Sequence, residues 1–412
     1  MDALRLSTLQ KGLQKGRLRK RLAMKLPQPD YDALAYSGAL KRHIADEIAA
    51  AGGWIGFDRF MELALYAPGM GYYSGGAHKF GLAGDFVTAP EMTPLFARTL
   101  AAQAAQLMAL SAPQIIEVGA GSGRLAADLL LELEQREALP ECYAILELSG
   151  ELRERQRQSI GLCVPHLLDR VVWLDRLPEH FDGLVLANEL LDAMPVHLVV
   201  WQEGSQETAI LERGVAWENE AFVWCDRPAT GRVLERAQAL AEEYSLPSGY
   251  VSEIHLAAAD WMASWGAILG KGALLLIDYG FPQHEYYHPQ RDIGTLMCHY
   301  RHQAHIDPFF LPGLQDITSH VDFTALAEAG FNAGLEVLGY TTQAVFLLNC
   351  GLPELLARIA ADDPARYLPQ AQAAQKLLSP AEMGELFKVI ALGKAIGESL
   401  LGFAQGARSA TL

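Results

Sequence analysis

The stretch IIEVGAGSGRLAADLL, residues 115–130, decides the fold. Its first four residues have the branching and length of a buried strand, and the text from Arg124 has the apolar spacing of a helix. Between them stand Gly119, Gly121 and Gly123. A turn of this kind needs glycine, because a side chain there would stop the backbone from closing on a ligand. The spacing is GxGxG, and the position three after Gly121 is Arg124, so the third glycine of a dinucleotide fingerprint is missing.

Working outward, the same alternation repeats. CYAILEL (142–148), VVWL (171–174), LVLAN (184–188) and GALLLIDYG (272–280) read as short apolar strands, with helices at 124–137 and near 150–159 between the first of them. That pattern predicts an α/β fold, a parallel sheet covered by helices on both faces. After the fourth strand, VHLVVWQ, TAILERG and AFVWC predict antiparallel ribbons, an insertion at about 196–250. Helical text returns at 232–243 and 256–269, then at 321–329, followed by two strand candidates near 334–340 and 343–348. Residues 351–412 read as terminal helices broken at Pro364, Pro369 and Pro380. The organisation expected is a basic tail (1–30), a helical segment (31–110), a core (111–350) and the terminal helices. Within the helical segment, GMGYYSGGAHKFGLAGDF (69–86) is either a lid over a ligand or an ordinary surface loop.

The bulk properties narrow the function. Half of the 412 residues are hydrophobic, enough for a large core, and the longest apolar runs fall short of the roughly 20 residues that span a bilayer. Net charge is −16, but the first 25 residues hold eight Lys or Arg against one acid, leaving 25 bases against 48 acids, or −23, in the rest. An acidic body disfavours nucleic acid and suits a cationic partner. The basic start is a solvated bacterial tail or an organelle-targeting segment, so the expected location is the cytoplasm, with the mitochondrial matrix as the alternative. Five scattered cysteines without a CxxC pair fit a reducing compartment.

Candidate site residues follow from the strand ends. Glu147 closes the second strand, where sheets of this type set an acid against ribose hydroxyls; the alternative is a helix-capping or surface glutamate. Asp175, just past the third strand, is expected to face an adenine amino group. ANELLDAMPV (187–196) puts Asn188, Glu189 and Asp192 at the end of the fourth strand, where a reacting group should lie, unless Asn188 merely caps a short helix. His299, His302 and His305 have a spacing possible for metal ligands on one helical face, yet no fourth ligand accompanies them, and no metal is expected. Asp316 and His320 either line the acceptor channel or cap the helix that starts near Val321.

The GxGxG turn with its preceding acid, Glu117, resembles the first motif of class I methyltransferases. Together with LYAPGMGYYSGG, GDFVTAPEMTPLF, ILELSGELRERQ, ANELLDAMPV, IDYG and GTLMCHYRHQAHIDPFFLPGLQDITSHVDF, it resembles the MidA family of methyltransferases over residues 36–350. Ala120 and Ser122 stand where family members often carry proline and arginine, and both are compatible with the turn. The resemblance implies a Rossmann-like fold and S-adenosylmethionine as cofactor, held by Glu117, Gly119, Gly121, Gly123 and Glu147. It implies that Asp85 and Glu91 close the site, and that the acceptor is an arginine of a protein subunit, of the respiratory complex I type. On that reading Glu189 and Asp192 orient the guanidinium and accept its proton. A cofactor-binding docking protein without turnover and a small-molecule methyltransferase are the alternatives. The sequence leaves the oligomeric state undetermined.

Overall fold

The computed structural model describes residues 26–75, 88–203, 208–360 and 362–412. Its central sheet contains β1 (Gln114–Val118), β2 (Cys142–Leu146), β3 (Val171–Leu174), β4 (Phe181–Asn188), β5 (Leu269–Phe281), β6 (Glu336–Thr342) and β7 (Phe387–Lys394). The order is β6-β7-β5-β4-β1-β2-β3. Strands β1 to β5 pair in parallel, and β7 lies antiparallel between β5 and β6. A two-residue segment, Val321–Asp322, runs parallel to the last residues of β5.

Both faces of this sheet are buried, which is why its strands read as unbroken apolar text. Ile115, Leu184, Leu186, Leu275 and Val389 point into one core with Leu100, Leu129 and Leu347. The alternate residues Ile116, Val185, Leu274 and Ile390 point into a second with Met262, Trp265 and Leu326. Each such side chain contributes about 1.5–3 kcal/mol by leaving water, so the sheet is held by its two apolar layers.

Register fixes the functional edge. Val118 pairs with both Leu146 and Ala187, Leu146 with Leu174, and Asn188 with Ile277. One step further along each strand stand Gly119, Glu147, Asp175, Asn188 and Asp278, brought to one edge from five strands.

The ribbons after β4 are real strands, His197–Glu203, Thr208–Glu218 and Ala221–Pro228, and with Ile55–Gly56 and Tyr250–Ile254 they make a five-stranded antiparallel sheet. It shares a third core with helices Tyr31–Ala50 and Phe57–Tyr66, through Leu40, Ile44, Phe60, Leu198, Val215 and Phe222.

Three sequence expectations need correction. Residues 343–348 form a helix, Gln343–Asn349, which Thr342 starts by accepting the Val345 N–H at 3.4 Å. Phe387–Lys394, expected to be helical, is a central strand: every residue from Phe387 to Gly393 is buried, and a short, doubly buried strand shows no alternation to betray it. His299 and His305 lie on the two arms of a hairpin, Met297–Tyr300 with Gln303–His305, and His302 is in its turn at φ +60°. That agrees with their place in a Pro-rich stretch, and the third correction is Pro369, expected to break the terminal helices, which lies inside helix Pro364–Leu378. No described helix is long and apolar enough to cross a membrane, and all five cysteines are free thiols.

Candidate active site

The glycine turn after β1 closes as its composition demands. Gly119, Gly121 and Gly123 have φ of +73°, +52° and +80°, a region where L side chains are strained. A Cβ on Gly119 would stand 3.0 Å from Leu190 Cδ1, and one on Gly123 3.1 Å from Gln156 Cα. The turn thus makes a cradle that side chains would fill, opening onto the start of helix Arg124–Gln135.

Glu147 is fixed beside it. Its carboxylate accepts the Ser149 N–H at 2.9 Å and the Gln156 amide at 3.1 Å, while the same amide nitrogen donates to Gly121 O at 3.1 Å. Trp173 Nε1 donates to Gln156 Oε1 at 2.9 Å and holds the amide in that orientation. Burial pushes the Glu147 carboxyl above its ordinary value, with the Ser149 and Gln156 bonds opposing. Gln156 therefore ties the acid to the turn, a role invisible in sequence because it depends on helix Gly150–Cys163 folding back over β2.

Other expected cofactor residues sit differently. Asp175 is mostly exposed and ion-pairs with Arg153, whose guanidinium also donates to Glu147 O and Leu174 O, both at 2.7 Å. Glu117 is buried inside the sheet and accepts the Tyr143 phenol at 2.7 Å; burial raises its carboxyl to about 7. Glu91 accepts a hydrogen bond from Ser122 within the turn, so it braces the cradle. Asp85 lies outside the described residues.

At the end of β4 the three polar residues converge. Glu189 adopts φ +51°, a strained conformation for a non-glycine residue, and its N–H is held by Ile277 O at 2.9 Å. Its carboxyl receives the Asn188 amide at 3.1 Å and the Ala89 N–H. Burial, then repulsion from Asp192, pushes it up to about 8. Asp192 is buried beside the Tyr279 phenol, and burial raises its carboxyl as well. Asp278, a residue to which the sequence assigned no role, accepts the N–H groups of Leu191 and Asp192 at 2.9 and 3.2 Å and so shapes the loop. The repulsion is mutual, since Asp192 and Glu189 both raise the Asp278 carboxyl beyond what burial alone does. Asn188 Oδ1 and Asp192 Oδ1 are buried with no hydrogen-bond partner among the described residues. Among the described residues the pocket thus combines three buried acids with two acceptor oxygens that have no donor.

Two tyrosines missed in sequence border it. Tyr66 donates to Ala193 O at 2.9 Å, and its ring stacks on Tyr73 at 5.5 Å. His320 is buried with its ring edge-on to Tyr279 and Phe281, and burial lowers its imidazole to about 3. The helix after it is capped by Asp322, which accepts the Ala325 N–H at 3.0 Å, so neither Asp316 nor His320 is the cap. Among the described residues, the metal-competent cluster is elsewhere: Asp58, His197 and Glu212, with His197 Nδ1 2.8 Å from Glu212 Oε1. Asp58 and His197 line a cavity of about 410 Å³ together with Glu62, Tyr66, Pro195 and Ala257.

Comparison with known proteins gives three findings. Residues 95–341 match the family described as putative S-adenosyl-L-methionine-dependent methyltransferase. The mitochondrial protein arginine methyltransferase NDUFAF7 of Danio rerio is 27% identical over 385 residues, 85% of this chain and 86% of that one; the Mus musculus protein of the same name is 28% identical over 85% and 83%. A crystal structure from Burkholderia thailandensis with S-adenosyl-homocysteine bound is 54% identical, covers 94% of this chain and all of the other, and superposes with a TM-score of 0.90.

Proposed function

Since the chain belongs to this S-adenosyl-L-methionine-dependent methyltransferase family, we propose that it methylates an arginine side chain of a protein. The family resemblance points to a respiratory complex I subunit as the acceptor, and the five free thiols fit a reducing compartment, the cytoplasm or alternatively the mitochondrial matrix. The observation that carries the arginine reading is the pocket at the end of β4, where the acids Glu189 and Asp192 are buried together and, among the described residues, Asn188 Oδ1 and Asp192 Oδ1 have no donor.

The cradle residues fit the cofactor. Gly119, Gly121 and Gly123 leave room for its backbone-hugging portion, and Glu147 offers both carboxylate oxygens to ribose hydroxyls. Glu91, through Ser122, keeps that cradle closed. Bound there, S-adenosylmethionine supplies an electrophilic sulfonium methyl whose bonding pair stays with sulfur as an acceptor nitrogen forms the new C–N bond.

The chain's own residues prepare that nitrogen. A guanidinium has a pKa above about 12 and is protonated in water, so the protein must hold it still and take a proton. Glu189 and Asp192 provide two carboxylates for parallel N–H···O bonds, and Asn188 Oδ1 a third acceptor. Glu189, raised to about 8 by burial and Asp192, is driven to its carboxylate form by an arriving guanidinium and is then placed to receive the proton that the nitrogen loses as the bond forms. Tyr279 and Asp278 keep Asp192 in place. Because both reactants are bound at one sheet edge, most of the rate gain is alignment.

The test is to incubate the protein with isotopically labelled S-adenosylmethionine and a lysate lacking its own copy, then to map the label by mass spectrometry. Labelled arginine is expected; label in lysine or in metabolites with none in arginine overturns the acceptor reading.

A further inference from the structure

We propose that Asp316 is a second carboxylate jaw of the acceptor site, and that with the stacked rings of Tyr66 and Tyr73 it holds the guanidinium plane against Glu189 and Asp192. This rests on the arginine reading above and deepens it, since it names what recognises the acceptor's charge from the opposite wall.

The geometry begins in the three-stranded sheet formed by Met297–Tyr300, Gln303–His305 and Asp316–Thr318. Side chains alternate along a strand, so Asp316 and Thr318 share one face while Ile317 takes the other and packs into the core with Phe60 and Leu198. Thr318 and Asp192 both act on the buried Tyr279 phenol, whose ring lies edge-on to His320 two residues beyond Thr318. Beyond it, the Ser319 N–H donates to Asp192 O at 2.9 Å and fixes the strand end to the acceptor loop. The face bearing Asp316 therefore adjoins the pocket.

Asp316 itself is 4% exposed, and both its oxygens lie 3.0 Å from the Tyr73 hydroxyl, which holds the carboxylate in orientation. Tyr73 in turn stacks on Tyr66 with 21° between planes, and Tyr66 is bonded to Ala193, the residue after Asp192. Asp192 and Asp316 both act on the two phenols, and Glu147 acts on Tyr66. The ring pair is therefore held at one end by Asp316 and at the other by Ala193, next to Asp192. Asp192 Oδ1, buried and without a partner among the described residues, is the donor-hungry atom in this enclosure. A flat cation with donors on both edges, walled by aromatic faces, matches it.

The test uses the full chain saturated with S-adenosyl-homocysteine and two probes of nearly one shape, N-acetyl-arginine amide and its uncharged analogue N-acetyl-citrulline amide, titrated by NMR. Wild type is expected to prefer the charged probe. Asp316→Asn should weaken that preference by roughly tenfold or more, the size of a lost charge-assisted pair. Tyr73→Phe, which keeps the ring and removes the hydroxyl that orients the carboxylate while leaving the Ile317 N–H bond to it, should weaken it less, and Glu336→Gln, an exposed acid on the far edge strand, should leave it unchanged. S-adenosyl-homocysteine should bind all variants equally. An unchanged preference in Asp316→Asn overturns the proposal. Should that variant also lose S-adenosyl-homocysteine, Tyr73→Phe decides: a reduced preference upholds the proposal and an unchanged one overturns it. A wild type indifferent to probe charge overturns the arginine reading and this inference with it, whereas charge preference that survives in both variants removes the inference alone.

Discussion

Glu189 concentrates the chemistry and the strain of the site. It is a non-glycine residue at φ +51° whose carboxyl is raised to about 8, first by burial and then by Asp192. Its folded pKa exceeds its unfolded one, so between about pH 4.5 and 8 the folded state holds a proton that the unfolded state has lost. Stability from this group is complete below that window and falls as pH rises through it. Glu189→Gln should therefore raise the unfolding free energy at pH 8.5 by about 1–3 kcal/mol and change it little at pH 4, as urea melts at the two pH values will report. The same variant should lower kcat by about 10²-fold or more, the usual contribution of a positioned base, while leaving S-adenosyl-homocysteine affinity intact; equal loss of both would refute its assignment. Gln156→Ala should do the reverse, raising KM for the cofactor about tenfold through the freed Glu147 and turn, with little effect on the acceptor. Glu189 could be read from sequence because polar residues ending an apolar strand stand out. Gln156, Tyr66 and Tyr73 could not: each is an ordinary helix or loop residue until the chain brings it beside a strand end distant in sequence.

At the scale of elements, the part of the fold carrying the cofactor was legible because its signals are local. Strand, glycine turn and helix are contiguous from Ile115 to Leu130, and the turn's positive φ values permit few residues other than glycine. Strand β7 was not legible, since FKVIALGK is buried on both faces, Lys388 included, and its length fits a helical turn pair as well as a strand. Its place is set by partners far away in sequence: Ile390 pairs with Leu276 on one side and Tyr340 on the other. The histidine segment carried as little fold information, because i, i+3 spacing looks the same on a helix and across a hairpin with a two-residue turn. That position makes β7 structurally decisive although it carries no site residue. Leu392→Ala, which removes a fully buried side chain between Gly330 and Met262 neighbours, should cost about 2–5 kcal/mol. Thermal melts should show that loss without any change in KM for either reactant, and a selective rise in cofactor KM would mean that β7 supports the site directly.

Over the whole molecule, the acidic balance becomes a functional property. The chain carries −16 overall and −23 outside its first 25 residues, and that count includes the acids Glu189 and Asp192 buried at the sheet edge where we propose the acceptor binds. Such a field raises the encounter rate of a cationic acceptor and is damped as salt shortens the screening length from ~10 Å at 0.1 M to ~3 Å at 1 M. S-adenosyl-homocysteine has no net charge at neutral pH, so its binding samples the same fold without the long-range attraction. Raising salt from about 0.05 to 0.5 M should therefore increase KM for an arginine-rich acceptor peptide several-fold through a slower association and shift the S-adenosyl-homocysteine Kd little. Steady-state kinetics and calorimetry across that range separate the two. Parallel weakening of both ligands would place the salt effect on the fold, and an acceptor KM indifferent to salt would mean that recognition is confined to the buried pocket, with the acidic surface playing no part in capture.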